Sequence, residues 1–274
     1  MTRTGIMQGR LLLPVNNAIQ AFPENGWQKE FALAGELGLD CIEFIFDGAN
    51  YTGHPLMTGA GLREIHALEQ ESGVGILSVC ADYFMAYPLH RGSAWEREER
   101  VKILKNLIRN CATLDVGDIV IPCVDNSRLE DMSAMHEFAL RIRECLPVAE
   151  ECSINLALET DLAPEPFFGL MRDIDHDNLK INYDTGNSAS LGYDPGAEFE
   201  NYGRWITDIH IKDRILGGTT VPLGEGAVDF PRVFSLVHNM NYNGIFILQT
   251  ARKEPGKERE TIKGYLDFIG KYLP

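Results

Sequence analysis

The sequence predicts an α/β chain closed into a single (β/α)8 barrel, one domain over residues 1–274. Three observations carry this. Eight short apolar runs alternate with eight longer amphipathic ones along the chain. The runs are apolar almost throughout rather than at every second residue, as parallel strands buried on both faces require. The last four runs each end on a polar, ligand-capable side chain, and strand C-termini are where such a barrel collects its reactive groups.

The elements follow in order. The first run is Gly5-Ile-Met-Gln8, with a loop and a helix over about 26–38. Cys41-Ile-Glu-Phe-Ile-Phe46 is the second, with a helix near 58–72. Gly75-Ile-Leu-Ser-Val-Cys80 precedes a long charged helix around 93–114, which Ser93 and Glu96 open as a capping box. Asp118-Ile-Val-Ile-Pro-Cys123 leads into a helix near 131–152. The fifth to eighth runs are Leu156-Ala-Leu-Glu-Thr160, Ile181-Asn-Tyr-Asp-Thr-Gly186, Ile209-His-Ile-Lys-Asp-Arg214 and Ile245-Phe-Ile-Leu-Gln-Thr250. Their helices lie near 164–173, after Asp194-Pro, after Asp229 as N-cap with Pro231 in the first turn, and from Glu258 to Tyr272.

Composition narrows the function classes. Hydrophobic residues make up 45% of the chain, sufficient for a large core, and 25 basic against 40 acidic residues leave a net charge of −15. No basic block offsets that charge, which argues against a nucleic-acid partner. Six cysteines, at 41, 80, 111, 123, 145 and 152, include no Cys-x-x-Cys pair and read as small core residues of a reducing compartment. The start Met1-Thr-Arg-Thr-Gly-Ile6 has no apolar leader core, and no stretch approaches the ~20 apolar residues of a membrane span. A cytoplasmic protein with no membrane partner is expected.

Glu159, Asp184, His210 and Gln249 close the last four runs, one per strand. Two carboxylates, an imidazole and an amide oxygen suit one divalent metal. Each residue also has a plainer reading. Glu159 would be a salt-bridged strand end, Asp184 an Asx-turn, and His210 a core histidine on a carbonyl. Asp208, His210 and Lys212 share one strand face by period-two alternation. Lys212 would polarise a substrate oxygen, bind a phosphate, or pair with Asp213 or a lumen acid.

The motifs His-Ile-Lys-Asp-Arg at 210–214 and Leu-Gly-Glu-Gly-Ala-Val-Asp-Phe at 223–230, with Gly5-Ile-Met-Gln-Gly-Arg10 and Ile42-Glu-Phe44, resemble the xylose-isomerase-like TIM-barrel superfamily, in particular its sugar isomerase and epimerase branch. The superfamily also holds inosose dehydratases and endonuclease IV. The resemblance implies that Glu159, Asp184, His210 and Gln249 hold one divalent ion, Mn²⁺ or a relative such as Mg²⁺, Co²⁺ or Zn²⁺. In the family's epimerases the first and last of these positions are paired glutamate bases. Gln249 is an amide, able to ligate through oxygen but unable to accept the proton. Asn187 stands where many relatives have the histidine of Asp-x-x-His. Gly218 and Thr220 replace the Asp-x-His of the endonuclease branch, which excludes its trinuclear zinc site.

The expected activity is a divalent-metal-dependent isomerisation or epimerisation of a small sugar or sugar phosphate through an enediolate, with Glu159 as base and Lys212 as a second catalytic group. A metal-dependent lyase, a dehydratase or decarboxylase acting on a keto-sugar or keto-acid, is the alternative. A sugar-binding barrel without turnover is the third reading. Gln8, Arg10, Glu43, Asp82 and Arg214 are expected to contact substrate. Glu43 has the alternative of pairing with a lumen cation such as Lys212, and Arg10 of capping a loop. Arg252 and Lys253 flank the expected mouth, and Trp27, Phe84, Tyr87 and Trp95 either wall the sugar or pack on helices. A homodimer through outer helices is implied by the resemblance alone.

Overall fold

The computed structural model describes residues 3–48 and 50–273; Met1 and Thr2, which begin the segment read for a leader, lie outside them. Eight parallel strands, β1 (Arg3–Met7), β2 (Cys41–Ile45), β3 (Gly75–Cys80), β4 (Asp118–Cys123), β5 (Asn155–Thr160), β6 (Leu179–Asp184), β7 (Ile206–Ile211) and β8 (Ile245–Leu248), form a closed barrel. Each strand pairs with its sequence neighbours, and β8 closes on β1 with Arg3 opposite Ile245 and Ile6 opposite Leu248. The strands are buried on both faces, so the near-continuous apolar runs are accounted for.

Among the described residues ten α-helices surround or cap the barrel: α1 (Lys29–Glu36), α2 (Gly59–Ser72), α3 (Tyr83–Ala86), α4 (Ala94–Cys111), α5 (Met132–Glu151), α6 (Pro164–Ile174), α7 (Thr185–Leu191), α8 (Pro195–Tyr202), α9 (Phe230–Asn239) and α10 (Glu258–Ile269). The capping box is present: the Glu96 N–H donates to Ser93 Oγ, and the Ser93 N–H donates to the Glu96 carboxylate. Asp229 caps α9 through the Arg232 N–H, with Pro231 in the first turn. Two short helices, α3 and α7, go beyond the eight expected from sequence. Both follow directly on a strand end, and their few residues carry too little periodicity to be seen. Among the described residues no helix is long and apolar enough to cross a membrane.

Pro122 sits within β4, where a missing N–H would normally break the ladder. Here β3 has already ended alongside it, and the Pro122 carbonyl accepts from Ser127 Oγ at 2.7 Å. The six cysteines are free, and all but Cys152 are buried. Trp27 packs with Phe22, Phe31 and Phe44, and Phe84 with Phe46 and Tyr83. Trp95 is exposed. Tyr87 packs on Tyr83, so Phe84 and Tyr87 share one aromatic cluster while Trp95 stands apart from it.

Two features build the mouth of the barrel. After β7 the chain makes a short ribbon, Asp213–Arg214 antiparallel to Thr220–Val221. The Asp213 carboxylate is fully buried and accepts the N–H groups of Gly224, Gly226 and Val228. A Cβ on residue 226 would lie 2.2 Å from Asp213 Oδ1, so the wrap requires glycine there. One buried acid thus explains why His-Ile-Lys-Asp-Arg and Leu-Gly-Glu-Gly-Ala-Val occur together. The second feature is the loop from residue 8 to residue 28. Arg10 donates to the Ile19 and Thr250 carbonyls, and Arg252 to the Gly9 and Leu12 carbonyls.

Candidate active site

Glu159, Asp184 and His210 converge at the C-terminal end of the barrel. One ligand atom from each lies within 4.8 Å of the other two. All three side chains are buried, His210 completely. Burial, and after it the neighbouring Asp184 charge, raise the Glu159 carboxyl to about 7.

His210 crosses the lumen. Its Nε2 lies 2.7 Å from Glu43 Oε1 on β2, with β8 and β1 standing between β2 and β7 around the sheet, which fixes both side chains inward. Glu43 Oε2 accepts from Ser78 Oγ at 2.6 Å, and a carboxyl oxygen of Asp208 lies within 4.8 Å of ligand atoms of both Glu43 and His210. Burial, and after it the Glu43 charge, push the Asp208 carboxyl far above the carboxylate range. With Nε2–H held by Glu43, the His210 Nδ1 lone pair is buried and has no hydrogen-bond partner. A carboxylate behind one ring nitrogen and a vacant lone pair on the other is the arrangement of a metal-ligating histidine. The residues therefore fit a divalent ion held by Glu159, Asp184 and His210.

Asp184 serves two roles. Its Oδ1 caps α7 by accepting the Asn187 N–H at 2.8 Å, and its Oδ2 receives the Lys212 ammonium at 3.0 Å. The Asx-type cap and the ligand-like position thus coexist in one residue. Asn187 donates its side-chain amide to Glu159 Oε1 at 2.6 Å, and Arg214 Nη1 donates to Asn187 Oδ1 at 2.9 Å. A Cβ on residue 186 would meet Lys212 Cγ at 2.8 Å, so Gly186 lets α7 seat against the lysine stem. Lys212 also donates to Gln249 Oε1 at 2.8 Å. It pairs with Asp184 rather than Asp213.

The expected substrate contacts divide. Glu43 and Asp82 face the lumen: Glu43 beneath His210, and Asp82 through Gln20, whose amide donates to Asp82 Oδ2 at 2.8 Å. Glu43 pairs with His210, not Lys212. Arg214 stands behind Asn187 and also holds the Gly218 carbonyl. Gln8 is fully buried, and its side-chain oxygen accepts the Ile45 N–H, tying the end of β1 to β2. Arg10 grips loop carbonyls. Lys253 lies over the Tyr265 ring at 5.2 Å. Gln20 escaped sequence reasoning, since nothing in its loop marks it; Asn187 was singled out only as the replacement for the histidine of Asp-x-x-His, and its hydrogen bond to Glu159 was not foreseen.

A family model described as xylose isomerase-like TIM barrel matches residues 31–271. The chain belongs to this family. Among curated relatives, this family member is 25% identical over 248 residues to the putative L-ribulose-5-phosphate 3-epimerase SgbU of Escherichia coli (strain K12), covering 81% of this chain and 83% of that protein. It is 26% identical over 262 residues to the L-ribulose-5-phosphate 3-epimerase UlaE of Salmonella heidelberg (strain SL476), covering 89% and 91%. Similar solved structures include the D-psicose 3-epimerase of Clostridium cellulolyticum H10 with D-tagatose, at a TM-score of 0.77, 16% identity and 99% of both chains. The IOLI protein with a bound zinc atom also superposes at 0.77, with 17% identity and 99% of both chains. These superpositions show the shared barrel.

Proposed function

We propose that this family member is a divalent-metal-dependent isomerase or epimerase of a small ketose or its phosphate. The observation that carries the reading is the buried, unpartnered Nδ1 of His210, on a ring backed by Glu43 that brings a nitrogen within 4.8 Å of the Glu159 and Asp184 carboxylates. Relatives spanning most of the chain carry 3-epimerase names, which supports the substrate class.

Glu159, Asp184 and His210 would hold the ion, with the Gln249 oxygen beside them. When bound, the cation supplies Lewis-acid polarisation of the hydroxy-carbonyl oxygens. Glu159 takes the proton from the carbon next to the carbonyl, and its raised pKa suits a base working near neutrality. Asn187 orients that carboxylate. The Lys212 ammonium, between Asp184 and the amide of Gln249, hydrogen-bonds the oxygen on which negative charge develops. Return of the proton by Glu159 to the adjacent carbon gives an aldose–ketose isomer. Delivery from the Lys212 side to the same carbon gives an epimer.

One observation favours a second reading. The Gln249 amide cannot serve as a second base, and a one-base site equally suits loss of a β-hydroxyl as water, the lyase alternative. Elemental mass spectrometry of the purified protein and His210→Ala, followed by incubation of ketoses in D₂O, tests both. About one Mn, Mg, Co or Zn per chain, absent from the variant, with deuterium entering the ketose, supports the isomerase or epimerase. Loss of 18 mass units from the substrate would establish the lyase. Absence of bound metal after Mn²⁺ addition would overturn both in favour of a binding role.

A further inference from the structure

We infer that Gln20 is a positioning residue: it forms a one-directional amide relay that aims the Gln249 oxygen at the ligand cluster and makes position 249 depend on Asp82, which it does not touch. The relay runs Lys212 Nζ to Gln249 Oε1 at 2.8 Å, Gln249 Nε2 to Gln20 Oε1 at 3.0 Å, and Gln20 Nε2 to Asp82 Oδ2 at 2.8 Å. It joins β7, β8, the 8–28 loop and the end of β3 across the barrel mouth.

Its polarity is set from both ends. A lysine ammonium only donates, so the Gln249 oxygen must face it and the Gln249 NH₂ must face away. The Gln20 oxygen must then accept, which agrees with Arg10 Nη2, another pure donor, lying 3.4 Å from that oxygen. The Gln20 NH₂ is left for Asp82, whose other oxygen accepts from the Cys80 thiol at 3.2 Å. Every group in the relay is partly or fully shielded from water, so a reversed link would not be repaired by solvent.

A glutamate at 249 breaks this order. Its carboxylate would face the Gln20 oxygen, and flipping Gln20 to donate toward it would turn that oxygen onto Asp82. An asparagine at 82 would remove the conflict by donating to the flipped Gln20. The amide at 249 is therefore matched to the acid at 82 through Gln20. The consequence for the metal rests on the reading above; the relay itself does not.

The test is a thermal-unfolding cycle on metal-free protein: wild type, Gln249→Glu, Asp82→Asn and the double variant, repeated in a Gln20→Ala background. Expected is a Tm change for Gln249→Glu that is more favourable by several degrees when Asp82→Asn is present, with this coupling gone in Gln20→Ala. Additive changes, or coupling that survives Gln20→Ala, would overturn the relay. Mn²⁺ titration then reads the positioning role, with Gln20→Ala expected to weaken binding about tenfold. Unchanged affinity in Gln20→Ala would overturn that role. A wild type that binds no Mn²⁺ would overturn the proposed function while the thermal cycle still decides the relay.

Discussion

Asn187 joins the two site carboxylates: its main-chain N–H donates to Asp184 at 2.8 Å and its side-chain amide to Glu159 at 2.6 Å. It is the third residue of α7, so the helix that Asp184 caps also carries the group that steers Glu159. At this position the chain places a neutral donor anchored from behind by Arg214.

Replacing Asn187 by alanine keeps the main-chain cap and removes the side-chain donor. Mn²⁺ affinity is expected to fall about tenfold with little change in Tm, as for other groups that orient a ligand. Calorimetric titration beside thermal unfolding checks this; an affinity equal to wild type would remove Asn187 from the site.

Glu159→Gln is expected to abolish proton exchange on ketose substrates while leaving the fold intact, since the amide fills the same volume. Deuterium incorporation followed by NMR decides it. Residual exchange near the wild-type rate would mean that another group is the base.

Metal binding should depend on pH through Glu159. Its carboxyl lies at about 7 because burial and the Asp184 charge disfavour ionisation. A proton and a cation compete for it, so Mn²⁺ affinity should fall as pH drops through about 7 and level off above it. Titrations between about pH 5.5 and 8.5 check the direction; a flat profile would contradict the assignment.

Glu30 predicts a pH effect on stability rather than on chemistry. It is fully buried, accepts the Gly9 N–H at 2.7 Å, and burial raises its carboxyl to about 8. The folded chain therefore holds this proton where the unfolded chain has released it. Stability should decline as pH rises from about 4.5 to about 8, by at most about 1.4 kcal/mol per unit, and then flatten. Glu30→Gln should remove that component, so that the variant gains on wild type at high pH in denaturant titrations. Parallel curves for the two proteins would contradict it.

Asp213→Ala should be strongly destabilising, because three N–H groups lose a buried acceptor. A loss of about 3 kcal/mol or more is expected, lowering Tm by several degrees. A change below about 1 kcal/mol would mean that the 223–230 segment holds its shape unaided.

The barrel and its strand ends were legible because burial on two faces leaves a continuous apolar run, and a polar residue closing such a run is conspicuous. Glu159, Asp184, His210 and Gln249 were singled out in this way; ligand atoms of the first three lie within 4.8 Å of one another, and Lys212 links Gln249 to Asp184. Gln8 stood out by the same rule, and its side-chain oxygen ties β1 to β2. Gln20 was invisible because a loop residue recruited across the mouth has no period or spacing to betray it. The direction in which Lys212 points was likewise beyond sequence, since a long flexible side chain reaches Asp213, Asp184 and Gln249 with equal ease.

The arginine straps on the 8–28 loop have one more implication. Arg10 and Arg252 hold it by carbonyl oxygens, groups that every amino acid possesses. At Leu12 and Ile19 the course of the loop is thereby uncoupled from the identity of the side chain carried there. Leu13 and Ile19, 62% and 63% exposed, can be exchanged without loosening the grip that keeps Gln20 in place. The rim of this barrel thus offers positions where sequence can drift, or be randomised in a library, while the geometry of the mouth is conserved.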